Sequence, residues 1–291
     1  MKFSIIILFI LLFNSTLYTQ TTEGYSLRQL TFSPYFESNP QWSSDGKSIY
    51  FDSKNENTIQ IYKLNTDSLM IEQLTFDSIE KSFCMINPAN KQMVINDDQN
   101  LVLLTFDIGQ NNYKKLIKRD IQSKEVQFNP TGNLAAMIGK SDVDKYWRIF
   151  TYDFKYTNLN TFMDPISDCS FPRWSPKGES ISYTVGISKD NTKQYIQIIQ
   201  WYGKEMQQIT DSILHVRDAC WSSHFGKIAF IGETSDSSYL FVSQKDGTKR
   251  ETIYRDTRPL KTPSWSPDRQ SIIFTIEETS KQQHIYQIVF D

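Results

Sequence analysis

Apolar and polar residues alternate along this chain in short runs, the period-two pattern of half-buried strands. After the first twenty residues no segment keeps the 3.6 period of a helix. The runs come in sets, each opened by a large apolar residue followed by a turn. The clearest set opener is Phe171-Pro172-Arg173-Trp174-Ser175-Pro176-Lys177-Gly178. Near-copies surround Trp42, Phe128, Trp221 and Trp265, and an eroded one surrounds Ile86. These marks fall at 42, 86, 128, 174, 221 and 265, with steps of 44, 42, 46, 47 and 44, so the chain is a repeat protein.

Each repeat follows one grammar. A strand ends in Leu-Thr or its equivalent, at Leu30-Thr31, Leu74-Thr75, Leu116-Ile117, Ile209-Thr210 and Ile253-Tyr254, with the second residue eleven positions before the mark. The fourth repeat is looser, with Thr161-Phe162 in that place. After the mark, turns such as Ser44-Asp45-Gly46 and Pro176-Lys177-Gly178 reverse the chain, Pro and Gly supplying the angles a tight turn needs. A second strand follows, whose apolar residue seven past the mark recurs in all six copies: Ile49, Met93, Ala135, Ile181, Ile228 and Ile272. A loop of variable length leads to a third strand, and the fourth carries the next Leu-Thr.

Four short strands every ~45 residues predict the blade of a β-propeller, and six units predict an all-β, six-bladed ring. The chain stops after the sixth third strand, near Phe290, while Leu27 to Phe32 reads as a fourth strand with no blade before it. The N-terminal strand is therefore expected to complete the last blade, hiding two sheet edges. The Trp-Ser-Pro-Asp-Gly-type mark, with Leu-Thr upstream and an Ile-Tyr strand downstream, resembles the TolB-type propeller repeat, a WD-repeat-like family of bacterial envelope proteins. The resemblance spans residues 27 to 291. It implies a propeller; for function it implies several things, since the repeat occurs in envelope scaffolds, in propellers fused to peptidases and in polysaccharide-lyase relatives. TolB itself also carries an N-terminal α/β domain that this sequence does not show, so its binding to the peptidoglycan-associated lipoprotein is not carried over.

Charge and composition then exclude several functions. With 31 Lys and Arg against 33 Asp and Glu, the chain lacks the basic footprint of nucleic-acid binding. Lys2, the apolar run Ile5 to Phe13 and the polar stretch to Gln20 read as a secretory signal peptide, the run being shorter than the ~20 residues of a membrane span. The expected division is a signal peptide over 1–20, cut near Thr19 or Gln20, and a propeller over 21–291, periplasmic or extracellular, with no membrane span after cleavage. Cys84, Cys169 and Cys220 read as small core residues; a Cys169 to Cys220 bridge is the alternative.

No Gly-x-Ser-x-Gly elbow, metal-ligand spacing of Cys and His, or calcium loop is present, so the expectation is no catalytic residue, no cofactor and no metal. His215, His224 and His284 fall in three different parts of the repeat and are not expected to converge. The connections leading into the first strands sum to a charge of −1, a mixed rim unsuited to phosphate. They share no sequence theme yet carry apolar groups beside charges, as protein-contact surfaces do. Tyr35, Phe36, Leu214, Arg217 and Arg258 are the expected partner-binding residues, on one face around the axis. The leading reading is a non-enzymatic scaffold for an envelope or periplasmic protein. A small-ligand or glycan binder using the axial pocket comes second, and a propeller-type hydrolase or lyase third.

Overall fold

The computed structural model describes residues 19–22, 24–55, 58–88, 92–106, 113–117, 121–161, 167–186, 193–201, 205–210, 215–223 and 226–290. The expected signal peptide lies outside the described residues as far as position 18. Every described secondary element is a strand, and the sheets are arranged as a β-propeller. Four sheets have four antiparallel strands each. They open with Lys81–Ile86, Gln122–Phe128, Cys169–Trp174 and His215–Trp221, the strands that carry the second to fifth marks.

A nine-stranded sheet holds the rest. In one part Phe36–Trp42, Ser48–Asn55, Thr58–Asn65 and Ile71–Gln73 pair in order. In the other, Leu260–Trp265, Ser271–Thr279 and Gln282–Phe290 pair in order, Gln282–Phe290 pairs antiparallel with Tyr25–Gln29, and Thr19–Thr22 adds an outer strand. A single parallel bridge, Gln283 to Phe36, joins the two parts. The first strand of each repeat packs against the first strands of its neighbours, and Leu260–Trp265 packs against Phe36–Trp42.

The Leu-Thr pairs do not end strands as expected. Leu30, Leu74 and Ile209 follow Tyr25–Gln29, Ile71–Gln73 and Met206–Gln208, in the exit from the outer strand. Their function explains the pattern. The backbone N–H of Ile61 donates to Thr75 Oγ1 (3.0 Å) and that of Ile196 to Thr210 Oγ1 (2.9 Å), so the hydroxyl extends the ladder of the third strand past the end of the fourth. A Gln two residues earlier donates back to the Thr carbonyl: Gln73 to Thr75 at 2.6 Å and Gln208 to Thr210 at 2.7 Å. The same clasp forms between the ends of the chain, with Ile285 N–H donating to Thr31 Oγ1 (2.9 Å) and Gln29 to the Thr31 carbonyl (2.8 Å). Ile253 and Tyr254 depart from the pattern by lying inside the strand Glu251–Asp256.

A propeller sheet has two apolar faces and buries both against its neighbours. The apolar clusters each draw on two consecutive repeats. Trp174 packs with Ile181 and Tyr183 of its own repeat and with Ala136, Ile138 and Ile149 of the one before. Leu30, Ile49 and Trp42 pack with Ile273 and Ile285 from the far end of the chain. The six apolar residues seven past the marks are all fully buried. Cys84, Cys169 and Cys220 are buried and unpaired, so the alternative bridge is absent and the core reading of these residues stands.

Deleting the chain through Gln29 would remove the five residues that pair with Gln282–Phe290 along the edge away from Ser271–Thr279, the buried Leu27 among them. The truncated protein is expected to melt well below the longer one in a calorimetric scan; matching midpoints would contradict the pairing. Trp174→Ala is expected to cost ~3 to 5 kcal/mol in urea melts, and Trp201→Ala, whose ring meets that of Trp174 edge-on at 5.2 Å from a half-buried site, less.

Candidate functional site

The six first strands share a defect. Each carries a register shift, and each places a non-glycine residue in the left-handed region three positions before its mark: Asn39, Phe83, Glu125, Phe171, Asp218 and Thr262, with φ between 48° and 58°. For an L-residue this conformation costs about 1 to 2 kcal/mol, so something must repay it six times. At four of the six, the bulge turns the backbone N–H out of its own ladder, and a polar side chain of the preceding repeat accepts it. Phe83 N–H donates to Asp52 Oδ1 (3.3 Å), Glu125 N–H to Asn96 Oδ1 (3.2 Å), Phe171 N–H to Glu125 Oε2 (2.6 Å) and Thr262 N–H to Asp218 Oδ2 (3.0 Å).

These acceptors are buried, and burial raises the pKa of a carboxyl group unless donors or cations oppose it. Asp52, 2% exposed, is pushed up to about 7 by desolvation, against hydrogen bonds from Ser38 and Asn39. Glu125 is raised by the same cause, opposed by Lys124, the Phe171 N–H and Arg173. Arg173, itself buried, has its pKa lowered by desolvation, which the fields of Glu125 and Asp218 partly offset. Its guanidinium donates to the Pro172 carbonyl (3.0 Å), and among the described residues no carboxylate forms an ion pair with it. The rings of Phe83 and Phe171, from the second and fourth repeats, approach to 5.9 Å and occupy space between non-adjacent blades.

This corrects the charge count over the connections. That count takes in Glu37, Lys81, Glu125, Arg173 and Asp218, yet all five are buried. Glu37 accepts from Ser33 (2.7 Å) and from Thr31, and Lys81 donates to Asp77 and to the Ile79 carbonyl (2.8 Å). The strands begin earlier than their apolar pattern suggests, so these charges sit inside sheets. A signal existed at a fixed offset: the position three before each mark reads Asn, Phe, Glu, Phe, Asp, Thr, too varied for a core position.

Of the expected partner-binding residues, Leu214 lies outside the described residues. Tyr35 and Phe36 are half-buried at the entry to their strand, with Lys261 Nζ 5.7 Å from the Phe36 ring. Arg217 bonds Glu233 (2.6 Å) and Asp218 (3.1 Å) and reaches the Leu260 carbonyl (3.5 Å). Arg258 bonds Asp256 (2.7 Å) and Glu278 (2.5 Å). Phe36 and Arg217 thus flank Leu260–Lys261, and Arg258 stands two residues ahead. Lys261 in turn pairs with Glu277 at 2.5 Å. The arginines are already saturated with internal carboxylates, which sequence spacing did not reveal.

The three cysteines are not poised as nucleophiles. Burial pushes the Cys169 and Cys220 thiols up to about 12 and raises Cys84 as well, and a thiol that stays protonated is a poor nucleophile. His284 Nδ1 lies 3.7 Å from Glu37 Oε2, buried and without a hydrogen bond, while His215 opens a strand and His224 lies outside the described residues. Among the described residues no three His, Cys, Asp or Glu converge as a metal site.

No family model matches the chain. Its fold is similar to solved structures of several activities. A putative TolB from Agrobacterium tumefaciens is 16% identical, with 92% of this chain and 98% of that one covered and a TM-score of 0.68. An oligogalacturonate lyase from Vibrio parahaemolyticus is 13% identical, with 94% and 97% covered and a TM-score of 0.64. A gluconolactonase from Xanthomonas campestris is 8% identical, with 92% and 90% covered and a TM-score of 0.71. The chain has a TolB-like propeller fold, and at these identities the likeness is one of fold alone.

Asp52 gives a test of the bridging network. Its folded pKa of about 7 lies above the ordinary aspartate value of 3.8, so between those values the native state holds a proton that the unfolded state releases. Its contribution to stability is full below about pH 4 and declines as pH rises through 7, by roughly a few kcal/mol at 1.36 kcal/mol per unit. Asp52→Asn is expected to flatten the stability profile from pH 4 to 8 in urea titrations. An unchanged slope would show that Asp52 does not carry it.

Proposed function

We propose that the chain is a six-bladed propeller closed by its N-terminal strand, exported to the periplasm or cell surface, and a non-enzymatic scaffold for an envelope protein. Three observations support the blade count and closure: six bulged first strands, apolar clusters that link the last repeat to the first, and the Thr clasp between Thr31 and Ile285. The reading divides the nine-stranded sheet into two blades at its single parallel bridge.

The observation that carries the function is the surface at the entry of the first strands. Half-buried Tyr35 and Phe36 sit beside Lys261–Glu277 and Arg258–Glu278, ion pairs whose side chains keep between 24% and 38% of their exposure. Aromatic groups framed by neutralised charges on bulge-locked strands offer apolar contact area at small ordering cost, as protein interfaces require. An axial ligand is less well supported, because the rings of Phe83 and Phe171 approach each other there. The TolB-like fold agrees with an envelope role, and the lyase and lactonase neighbours keep an enzyme as the remaining alternative.

Tyr35→Ala and Arg258→Ala, singly and together, are expected to abolish recovery of a partner crosslinked in intact cells; Tyr35→Ala should leave the melting temperature unchanged, whereas Arg258→Ala should lower it modestly by unpairing Asp256 and Glu278. Lys47→Ala, in the turn at the other end of the first strand, should leave recovery intact. Retention by the double variant, or loss with Lys47→Ala alone, would overturn the assignment.

A further inference from the structure

The turns behind the marks lock onto one another at most junctions between repeats. A Cβ on Gly178 would lie 3.5 Å from Pro130, and one on Gly46 would lie 3.8 Å from Pro267. Asn87 donates to the Gly132 carbonyl at 3.1 Å, and Ser223 to that of Pro267 at 3.0 Å. The described residues of the junction between the fourth and fifth repeats show no such lock. Among the described residues no hydrogen bond joins its two turns, and the atoms nearest a Cβ on Gly226 belong to Lys245 of the same repeat, at 3.3 Å. Here a cleft of about 570 Å³ opens, within the size range of ligand sites.

The cleft has a flat aromatic wall. Trp221 lines it, its indole pinned by a hydrogen bond from Nε1 to the Arg173 carbonyl (3.1 Å). Lys177, Glu179, Ser223 and Lys245 complete the walls. Past Trp221 and Lys245 the cleft continues into a second of about 360 Å³, lined by Gln200, Glu205, Met206 and Gln207 and bordered by the exposed outer strand Met206–Gln208. The two make one trough running outward from the turns. Two lysines and two glutamates balance its charge, and among the described residues none of the four forms an ion pair, nor do the side-chain amides of Gln200 and Gln207 hydrogen-bond to protein. Their polar groups are open to a ligand.

We infer that this trough binds a linear, uncharged oligosaccharide. The C–H face of a sugar ring packs on an indole, while its hydroxyls both donate and accept, matching amides, hydroxyls and charges of both signs. A phosphate or polyanion would want one sign of charge. An extended trough suits several linked rings better than one small ligand. The inference does not rest on the proposed partner surface, which lies at the other end of the first strands.

The test is calorimetry and tryptophan fluorescence on the purified protein with hexamers of glucose in β-1,4 and α-1,4 linkage, of xylose and of N-acetylglucosamine. At least one hexamer is expected to bind and change the fluorescence, with its monosaccharide roughly ten-fold weaker or more. Gln207→Ala and Glu179→Ala, both exposed or half-exposed and so safe for folding, should each weaken binding several-fold with unchanged melting, and Trp221→Phe should keep the fold yet weaken binding too. Binding of no hexamer, affinity equal to the monosaccharide, indifference to Gln207→Ala and Glu179→Ala, or preference for an unstructured peptide library over every sugar would each overturn the inference. Tyr35→Ala should leave sugar binding intact, so failure here and failure of the partner surface are separable.

Discussion

Burial between neighbouring sheets is the interaction on which everything else in this molecule depends. A four-stranded sheet of some 45 residues cannot hide two apolar faces by itself, and each cluster here is completed by the next repeat. Ile181 gains its surroundings only when the third repeat supplies Ala136 and Ile149. Stability is therefore shared between repeats, and the two ends of the chain have to meet. The Thr31 clasp on Ile285 does for the termini what Thr75 does for Ile61 within one repeat.

Packing sheets face to face around an axis brings their first strands close together, and the bulges answer that crowding. A left-handed residue in each first strand interrupts its own ladder locally, and in four of the six its N–H bonds to the preceding repeat. Asp52, Asn96, Glu125 and Asp218 accept those groups, so the strain is balanced by hydrogen bonds that exist only when adjacent repeats are assembled. Buried carboxylates are costly unless every donor is in place. The network thus favours one register between repeats over its alternatives.

The two ends of the first strands differ in consequence. At the entry, charges have been drawn into internal pairs, leaving aromatic groups of intermediate exposure among neutralised partners. At the exit, a cleft opens beside Trp221 between the turns of the fourth and fifth repeats, and among the described residues its lysines and glutamates form no ion pair. One end carries partly exposed aromatic groups among paired charges, and the other a cleft beside Trp221. Both are rigid because the strands between them are.

The sequence by itself determined the repeat, its period and nearly every strand, because burial of one face at period two and the angles demanded by Gly and Pro are local constraints. It showed a recurring apolar position at Ile49, Met93, Ala135, Ile181, Ile228 and Ile272, and all six are fully buried. It also singled out Leu-Thr, though not the reason: the hydroxyl serves a strand some fourteen residues earlier. Where the charges go depends on contacts between repeats and between strands. Glu125, Arg173 and Asp218 look like solvated loop residues in the sequence, and Arg217 and Arg258 look unengaged, because their partners come from other repeats or other strands and no local pattern encodes a contact across that distance. The trough beside Trp221 was equally hidden, since Trp221 carries the same mark as Trp174, and only the spacing of two turns in space separates a buried tryptophan from one that faces a cleft.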